Sequence, residues 1–298
     1  MLTANRWKDY ELLDASDGEK LERWGDYILV RPDPQVIWST GHDHPGWKEK
    51  NAHYHRSAKG GGEWEFFDLP EEWSISYELP EEVCAKLSFN LKPFAFKHTG
   101  IFPEQAANWD ALGRVVHSAA ASGEAPRILN LFAYTGGASC ALAAAGGHVT
   151  HVDAAKGMVQ WAKENAESCG IPTERTRWIV DDCLKFVERE LRRGKVYDGI
   201  LMDPPSYGRG PKGEVWKLED CVWELVCKAS ELLSSTPLFF LINSYTTGLQ
   251  PGVLSYMLES AIAGKRGGEV SADELGLPVS GSSKILPCGA RGIVFFSR

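Results

Sequence analysis

Apolar and polar positions follow two patterns along this chain. From about Asp26 to Phe96 the apolar residues come in short runs, Tyr27-Ile-Leu-Val30, Val36-Ile-Trp38 and Trp64-Glu-Phe-Phe67. Trp73-Ser-Ile-Ser-Tyr77 and Leu87-Ser-Phe-Asn-Leu91 alternate apolar with polar, the period of a strand buried on one face. With Trp, Tyr, Pro and Gly abundant between them, these runs predict a small β-rich unit. After Phe102 the runs lengthen and are separated by helix-forming segments, as in βαβ units around a parallel sheet. Strands are predicted at Arg127 to Phe132, His148 to Asp153, Arg177 to Val180, Tyr197 to Met202 and Pro237 to Ile242. Helices are predicted at Gly137 to Ala145, Lys156 to Cys169, Leu184 to Arg193, Val215 to Leu233 and Gly252 to Ala263. The tail, ending in Arg291-Gly-Ile-Val-Phe-Phe296, predicts one or two further strands at an antiparallel edge.

Length and composition sharpen this division. A chain of 298 residues exceeds the usual single core. Residues 1–96 are therefore expected to form a β-rich N-terminal domain, a candidate for substrate recognition, and residues 97–298 the α/β domain that carries the chemistry. Hydrophobic residues at 43% and charged residues at 24% suit a folded core. The net charge of −8 excludes a global basic field, so any nucleic-acid contact has to be a local patch. The seven cysteines are scattered and form no CxxC pair, which fits reduced thiols in a cytoplasmic protein. No apolar run approaches the ~18 residues of a membrane span, so no membrane partner is expected. The oligomeric state is not legible in the chain.

In an open parallel sheet, ligands bind beyond the carboxyl ends of the strands, and four such ends carry suggestive residues. After the first comes Asn130-Leu-Phe-Ala-Tyr-Thr-Gly-Gly137, a turn into a small-residue helix where backbone can approach a ligand closely. The second ends in Asp153, whose carboxylate can accept both hydrogen bonds of a ribose diol. The third ends in Asp181-Asp182-Cys183, a carboxylate for an adenine amino group beside a backbone N–H for its ring. The fourth ends in Asp203-Pro-Pro-Ser-Tyr207, a stiff turn with outward carbonyls and a nearby ring. Taken singly, a glycine pair is a tight turn and a strand-end Asp a helix cap. In order, they describe a nucleoside site followed by a platform for a planar substrate. A dinucleotide dehydrogenase is the main rival, but it wants G-x-G-x-x-G, and only Thr135-Gly-Gly-Ala138 is present.

With Lys97-His-Thr-Gly-Ile-Phe-Pro-Glu-Gln105 added, these motifs resemble the class I S-adenosylmethionine (SAM)-dependent methyltransferases related to the large-subunit ribosomal RNA cytosine-C5 and guanine-N7 enzymes. The resemblance implies a Rossmann-like, seven-stranded, mostly parallel sheet with an antiparallel last strand. It implies SAM as cofactor, with Tyr134 to Gly137 at its methionine end, Asp153 on its ribose and Asp182, rather than Asp181, on its adenine. Phe102 and Gln105 would line the site from above. Asn130, Phe132, Ala133, Tyr134, Thr135, Gly136, Ala154, Cys183 and Asp203 complete the expected cofactor set.

One departure bears on the chemistry. Cytosine-C5 members use a cysteine just after the fifth strand as a nucleophile, because C5 is unreactive until a covalent adduct forms. Here that segment reads Leu241-Ile-Asn-Ser-Tyr-Thr-Thr-Gly248, without a thiol. A base nitrogen needs mainly alignment, an acceptor and a stacking surface. Asp203, Pro204, Pro205, Tyr207 and Asn243 are the candidates to supply them. The expectation is N-methylation of a nucleobase in RNA, ribosomal RNA first. Methylation of a protein or small molecule, and a SAM-binding module without catalysis, are the alternatives.

Three features stand outside this scheme. Gly208-Arg-Gly-Pro-Lys-Gly213 is either a phosphate-holding lid or a solvated turn. His42, His44, His53 and His55 form two H-x-H pairs, expected as surface histidines rather than metal ligands, and no metal is expected. Trp38, Trp47 and Tyr54 could stack on unpaired bases but are expected mostly as core.

Overall fold

The structure is a computed structural model that describes residues 1–57, 61–94, 97–123, 125–209, 213 and 215–297. Its centre is an eight-stranded sheet. Seven of the strands are β1 (Arg127–Leu131), β2 (His148–Asp153), β3 (Thr176–Val180), β4 (Gly199–Met202), β5 (Phe239–Ser244), β6 (Glu269–Pro278) and β7 (Ile285–Phe295). Their order is 3-2-1-4-5-7-6, and the eighth, Leu2–Thr3, lies outside β6. All pairings from β3 through β5 are parallel, whereas β7 runs antiparallel to both β5 and β6. Helices α1 (Ala106–Ala121), α2 (Gly137–Ala144), α3 (Lys156–Ser168), α4 (Cys183–Arg192), α5 (Leu218–Glu231) and α6 (Pro251–Leu258) flank this sheet. Covered on both faces, β1, β4 and β5 carry near-continuous apolar side chains and are buried almost throughout. Strand order reverses between β1 and β4, and the crevice opens there.

The N-terminal part holds a five-stranded sheet of Tyr10–Ser16, Glu19–Trp24, Tyr27–Pro32, Ala52–Arg56 and Gly62–Phe66, and a hairpin of Trp73–Glu78 with Lys86–Leu91. It starts at Tyr10 rather than Asp26. The first two strands are dense in charge, which hid them, but Asp17-Gly18 between them has positive φ at both residues, the geometry of a tight hairpin turn. Val36 to Trp38 forms no strand, because Val36 N–H closes a turn onto the Asp33 carbonyl and leaves Ile37 exposed. The N-terminal and central sheets meet along an aromatic seam, where Trp109 of α1 packs against Trp7, Tyr77 and Phe89.

Three further predictions are corrected. Helix α1 was not anticipated, although Ala106, Trp109, Leu112, Val116 and Ala119 recur at helical spacing on its buried face. Val215–Lys217 is a strand paired with Tyr207–Arg209, so α5 begins only at Leu218. The tail strand β7 sits inside the sheet, with Ile293 and Val294 fully buried, because α6 covers it.

Candidate active site

The loop after β1 is the most constrained backbone in the crevice. Phe132 and Tyr134 take positive φ of 54° and 51°, conformations that non-glycine residues hold only when their surroundings impose them. Gly136, at φ 83°, caps α2, and a Cβ there would lie 2.9 Å from the Ala162 Cβ. Tyr134 N–H donates to Asp153 Oδ2 at 2.9 Å, and Ala155 N–H donates to Oδ1 at 2.9 Å. Each Asp153 oxygen so keeps acceptor capacity for a ligand. Burial raises this carboxyl above the usual range, while the two N–H groups pull it down. The Thr135 hydroxyl donates to the Gly100 carbonyl, tying the loop to the Lys97 to Gln105 segment.

One cavity gathers most of the predicted residues: Phe102, Gln105, Asn130, Phe132, Ala133, Tyr134, Thr135, Asp203 and Asn243 all line it. Gly136, Asp153, Ala154, Asp182, Cys183, Pro204, Pro205 and Tyr207 do not. Asp181 is held by Arg189, whereas Asp182 caps α4 by accepting the Lys185 N–H at 2.9 Å through Oδ1 alone. Of the adjacent pair, Asp182 is the freer acceptor. Cys183 is buried beneath the loop and accepts the Phe132 N–H at 3.3 Å through Sγ.

The acceptor candidates separate. The Pro205 carbonyl takes the Trp216 indole N–H at 2.6 Å, so it is not an open platform. Tyr207 is exposed at the start of the short hairpin. Asn243 is buried in an amide network, accepting from Asn108 at 3.0 Å and donating to Gln105 at 3.1 Å. Asp203 alone faces the cavity with an open carboxylate, and burial, with the charge of Glu104 added, pushes it up to about 7.

Residues the motifs did not single out complete the site. Asn108 on α1 holds Gln105 and Asn243 together. Tyr245 receives the Gln105 amide N–H at 2.7 Å, and its ring lies 5.8 Å from that of Phe102. Phe102 separates the first cavity from a second, of about 500 Å³, between the two sheets. Glu104 and Cys288 line this second cavity. The helical spacing of α1 was the only sequence signal for Asn108; Cys288 had none.

The residues around this small cavity, of about 60 Å³, and at the strand ends beside it suit the polar groups of a nucleoside cofactor with an attached amino acid. The Tyr134 hydroxyl is buried there without a partner among the described residues, an orphan that a ligand would satisfy. Asp153 and Asp182 offer acceptors at two successive strand ends, and the N-terminus of α4 offers free N–H groups beside Asp182.

The histidine pairs do not converge. His44 caps a short turn and His42 stacks on Trp47, with ring centroids 4.2 Å apart. His53 and His55 stack at 3.9 Å, each on a carboxylate, Glu19 and Glu65 respectively, so their Nε2 atoms already have partners. His53, His55 and Glu65 nonetheless offer donor atoms within 4.8 Å of one another. Trp47 donates to Asp14 and Trp38 to the Ala15 carbonyl, structural uses of both indoles. Within Gly208 to Gly213, residues 210–212 lie outside the described residues. Among the described residues, no helix is long and apolar enough to cross a membrane.

A 3-2-1-4-5-7-6 sheet with carboxylates at its strand ends defines a Rossmann-like methyltransferase. The profile of the S-adenosylmethionine-dependent methyltransferase family matches residues 63–248, and the chain belongs to that family. A crystal structure of a SAM-dependent methyltransferase from Agrobacterium tumefaciens superposes with a TM-score of 0.88 at 35% identity, over 97% of this chain and 91% of that one. A methyltransferase-fold protein solved in complex with S-adenosylhomocysteine gives 0.68 at 19% identity, over 97% and 76%. The ribosomal RNA large subunit methyltransferase K of Neisseria meningitidis is 33% identical over 121 residues, 40% of this chain and 34% of that protein. The chain thus spans about a third of the length of that curated relative.

Proposed function

We propose that this chain transfers the methyl group of SAM to a nitrogen of a nucleobase in RNA, ribosomal RNA first. The single observation that carries the choice of chemistry is Asp203, an open carboxylate at the end of β4 that lines the cofactor cavity. Bound SAM supplies an electrophilic methyl group on its sulfonium. Asp153 takes the ribose hydroxyls, Asp182 and the first N–H groups of α4 the adenine, and the 134–137 loop the methionine end. Asp203 would accept an N–H of the target base, aligning the nitrogen lone pair with the methyl group, and would take up the proton released as the N–C bond forms and the S–C bond breaks with its electron pair left on the thioether sulfur. Phe102 and Tyr245 provide ring faces beside that position. The network of Gln105, Asn108 and Asn243 holds the floor rigid, so Asn243 positions rather than reacts.

The absence of a thiol after β5 supports nitrogen over carbon. Ser244, in the corresponding place, accepts the Thr246 N–H. Cys288 lines the cleft, but burial raises its thiol well above the usual range and its S–H points to the Leu286 carbonyl at 3.4 Å. A protonated thiol is a poor nucleophile. RNA as acceptor is supported by what the relative of N. meningitidis is described as modifying. The N-terminal sheet, which forms the far wall of the cleft, is the substrate-recognition part in this reading. Incubation with methyl-labelled SAM and separated RNA and protein fractions tests it. Label should enter RNA; label confined to protein overturns the assignment.

A further inference from the structure

The cleft between the two sheets has more charge than the methyl-transfer chemistry uses. Lys20, Arg31 and Lys97 line it, with Asp33, Glu104 and Glu274. Two of these cations are already neutralised. Arg31 makes a paired contact with Glu22 at 2.7 and 2.9 Å, and Lys20 lies 3.4 Å from Glu22 and 3.9 Å from Asp33. Lys97 differs: its ammonium donates to the Pro32 carbonyl at 3.0 Å and has no carboxylate partner among the described residues. A smaller adjoining cavity of about 290 Å³, lined by Tyr54, Arg56, Lys97 and His98, continues from it. Lys97 therefore stands where two cavities meet, mostly buried, with one open charge. Glu104, buried and unpaired among the described residues, stands at the Asp203 side of the cleft.

We propose that Lys97 is the anchor for a phosphate of the acceptor nucleotide, which lies along the cleft with its base toward Glu104 and Asp203. This rests on the RNA reading above and adds the group by which the cleft recognises a nucleotide. A cavity of about 500 Å³ falls within the 300–1,000 Å³ typical of small-molecule sites. A half-desolvated ammonium gains a charge-assisted hydrogen bond when an anion arrives. Burial, together with the charges of Lys20 and Arg31, brings Lys97 down to about 8. The site should therefore hold phosphate at pH 7 and release it toward pH 9. The other groups facing Lys97 change little over that interval. Arg31 and Lys20 are raised by Glu22 and stay charged, His98 is lowered to about 3 and stays neutral, and burial keeps Tyr245 and Cys288 protonated. Asp33, Glu104, Glu274 and Arg56 line the same two cavities, and Glu22, lowered to about 2, stays ionised.

The test is calorimetric titration of nucleoside monophosphates and the matching nucleosides into the protein saturated with S-adenosylhomocysteine, which keeps the probes out of the cofactor cavity. The wild type should prefer a monophosphate over its nucleoside by about tenfold or more at pH 7, the effect of one charge-assisted contact. Lys97→Gln should erase that preference with its circular dichroism and melting temperature near wild type. Lys97→Arg should keep the preference and lose its decline toward pH 9. Equal binding of monophosphate and nucleoside by the wild type, or a preference that survives in Lys97→Gln, overturns the anchor. Methyl transfer to RNA on the same preparations separates the two proposals. If Lys97→Gln methylates RNA with the wild-type KM, the anchor falls and the RNA reading stands. If no RNA is methylated while the monophosphate preference persists, the RNA reading falls and the phosphate site stands.

Discussion

Asp203 is where burial and a neighbouring charge act in the same direction. Because the carboxyl is raised to about 7, its ionised form grows as pH increases through neutrality, and only that form can take up the proton released from the base. Turnover should therefore rise with pH along a limb centred near 7. Glu104→Gln removes the adjacent negative charge, so the limb should move toward acid; a limb that stays in place would mean another group titrates. Asp203→Ala should lower kcat by about a hundredfold or more, the usual scale for losing a positioned proton acceptor, with SAM affinity retained. Equal loss of both would place Asp203 in cofactor binding instead. At this scale the sequence was informative wherever a residue sat at a strand end. Asp153, the Asp181–Asp182 pair and Asp203 could be singled out as candidates by position, since strand ends converge in a parallel sheet, whereas the choice of Asp182 over Asp181 came from the family resemblance. Asn243 and Pro205 could be located but not assigned, because Asn108, 135 positions away, and Trp216, across the short hairpin, occupy their polar atoms.

Among the elements, the hairpin of Glu19–Trp24 and Tyr27–Pro32 joins the N-terminal sheet to the cleft through a buried ion cluster. Glu22 receives Arg31, Lys20 and the Tyr10 hydroxyl, and these contacts outweigh desolvation and lower its carboxyl to about 2. A lowered folded value contributes stability above the unfolded value near 4.5, and that contribution is lost as pH falls toward 2. Glu22→Gln leaves Arg31 and Lys20 buried without their counter-charge and should destabilise by about 3–5 kcal/mol in urea unfolding at pH 7. The difference between variant and wild type should shrink at pH 3. A pH-independent difference would mark a steric effect. Tyr10–Ser16 and Glu19–Trp24 were illegible because their charge mimics a solvated segment, just as α1 was overlooked behind the motif that precedes it, whereas Tyr27–Pro32 carries a legible apolar run. The parallel strands β1 to β5 were legible to within a few residues; for β1, β4 and β5 this is because burial on both faces leaves apolar runs, while β3, at the sheet edge, keeps exposed positions.

For the molecule as a whole, the cofactor cavity and the cleft are neighbours that share Phe102, one beside the central sheet and the other reaching the N-terminal one. Phe102 stands between the two cavities, and the Trp109 seam fixes the sheets against each other. In the proposed reading an acidic protein of net charge −8 meets its acceptor through one open lysine in a cleft of mixed charge rather than through a basic field. The sequence showed the two halves but not the cleft, which is built by contacts between residues more than 100 positions apart, such as Gln105 with Tyr245. The account's central claim is that a nucleobase nitrogen receives the methyl group. Nucleoside mass spectrometry of RNA methylated by this protein from deuterium-labelled SAM tests it most directly. The label is predicted on a ring or exocyclic nitrogen, and label found as 5-methylcytosine would contradict it and point to Cys288 as the nucleophile.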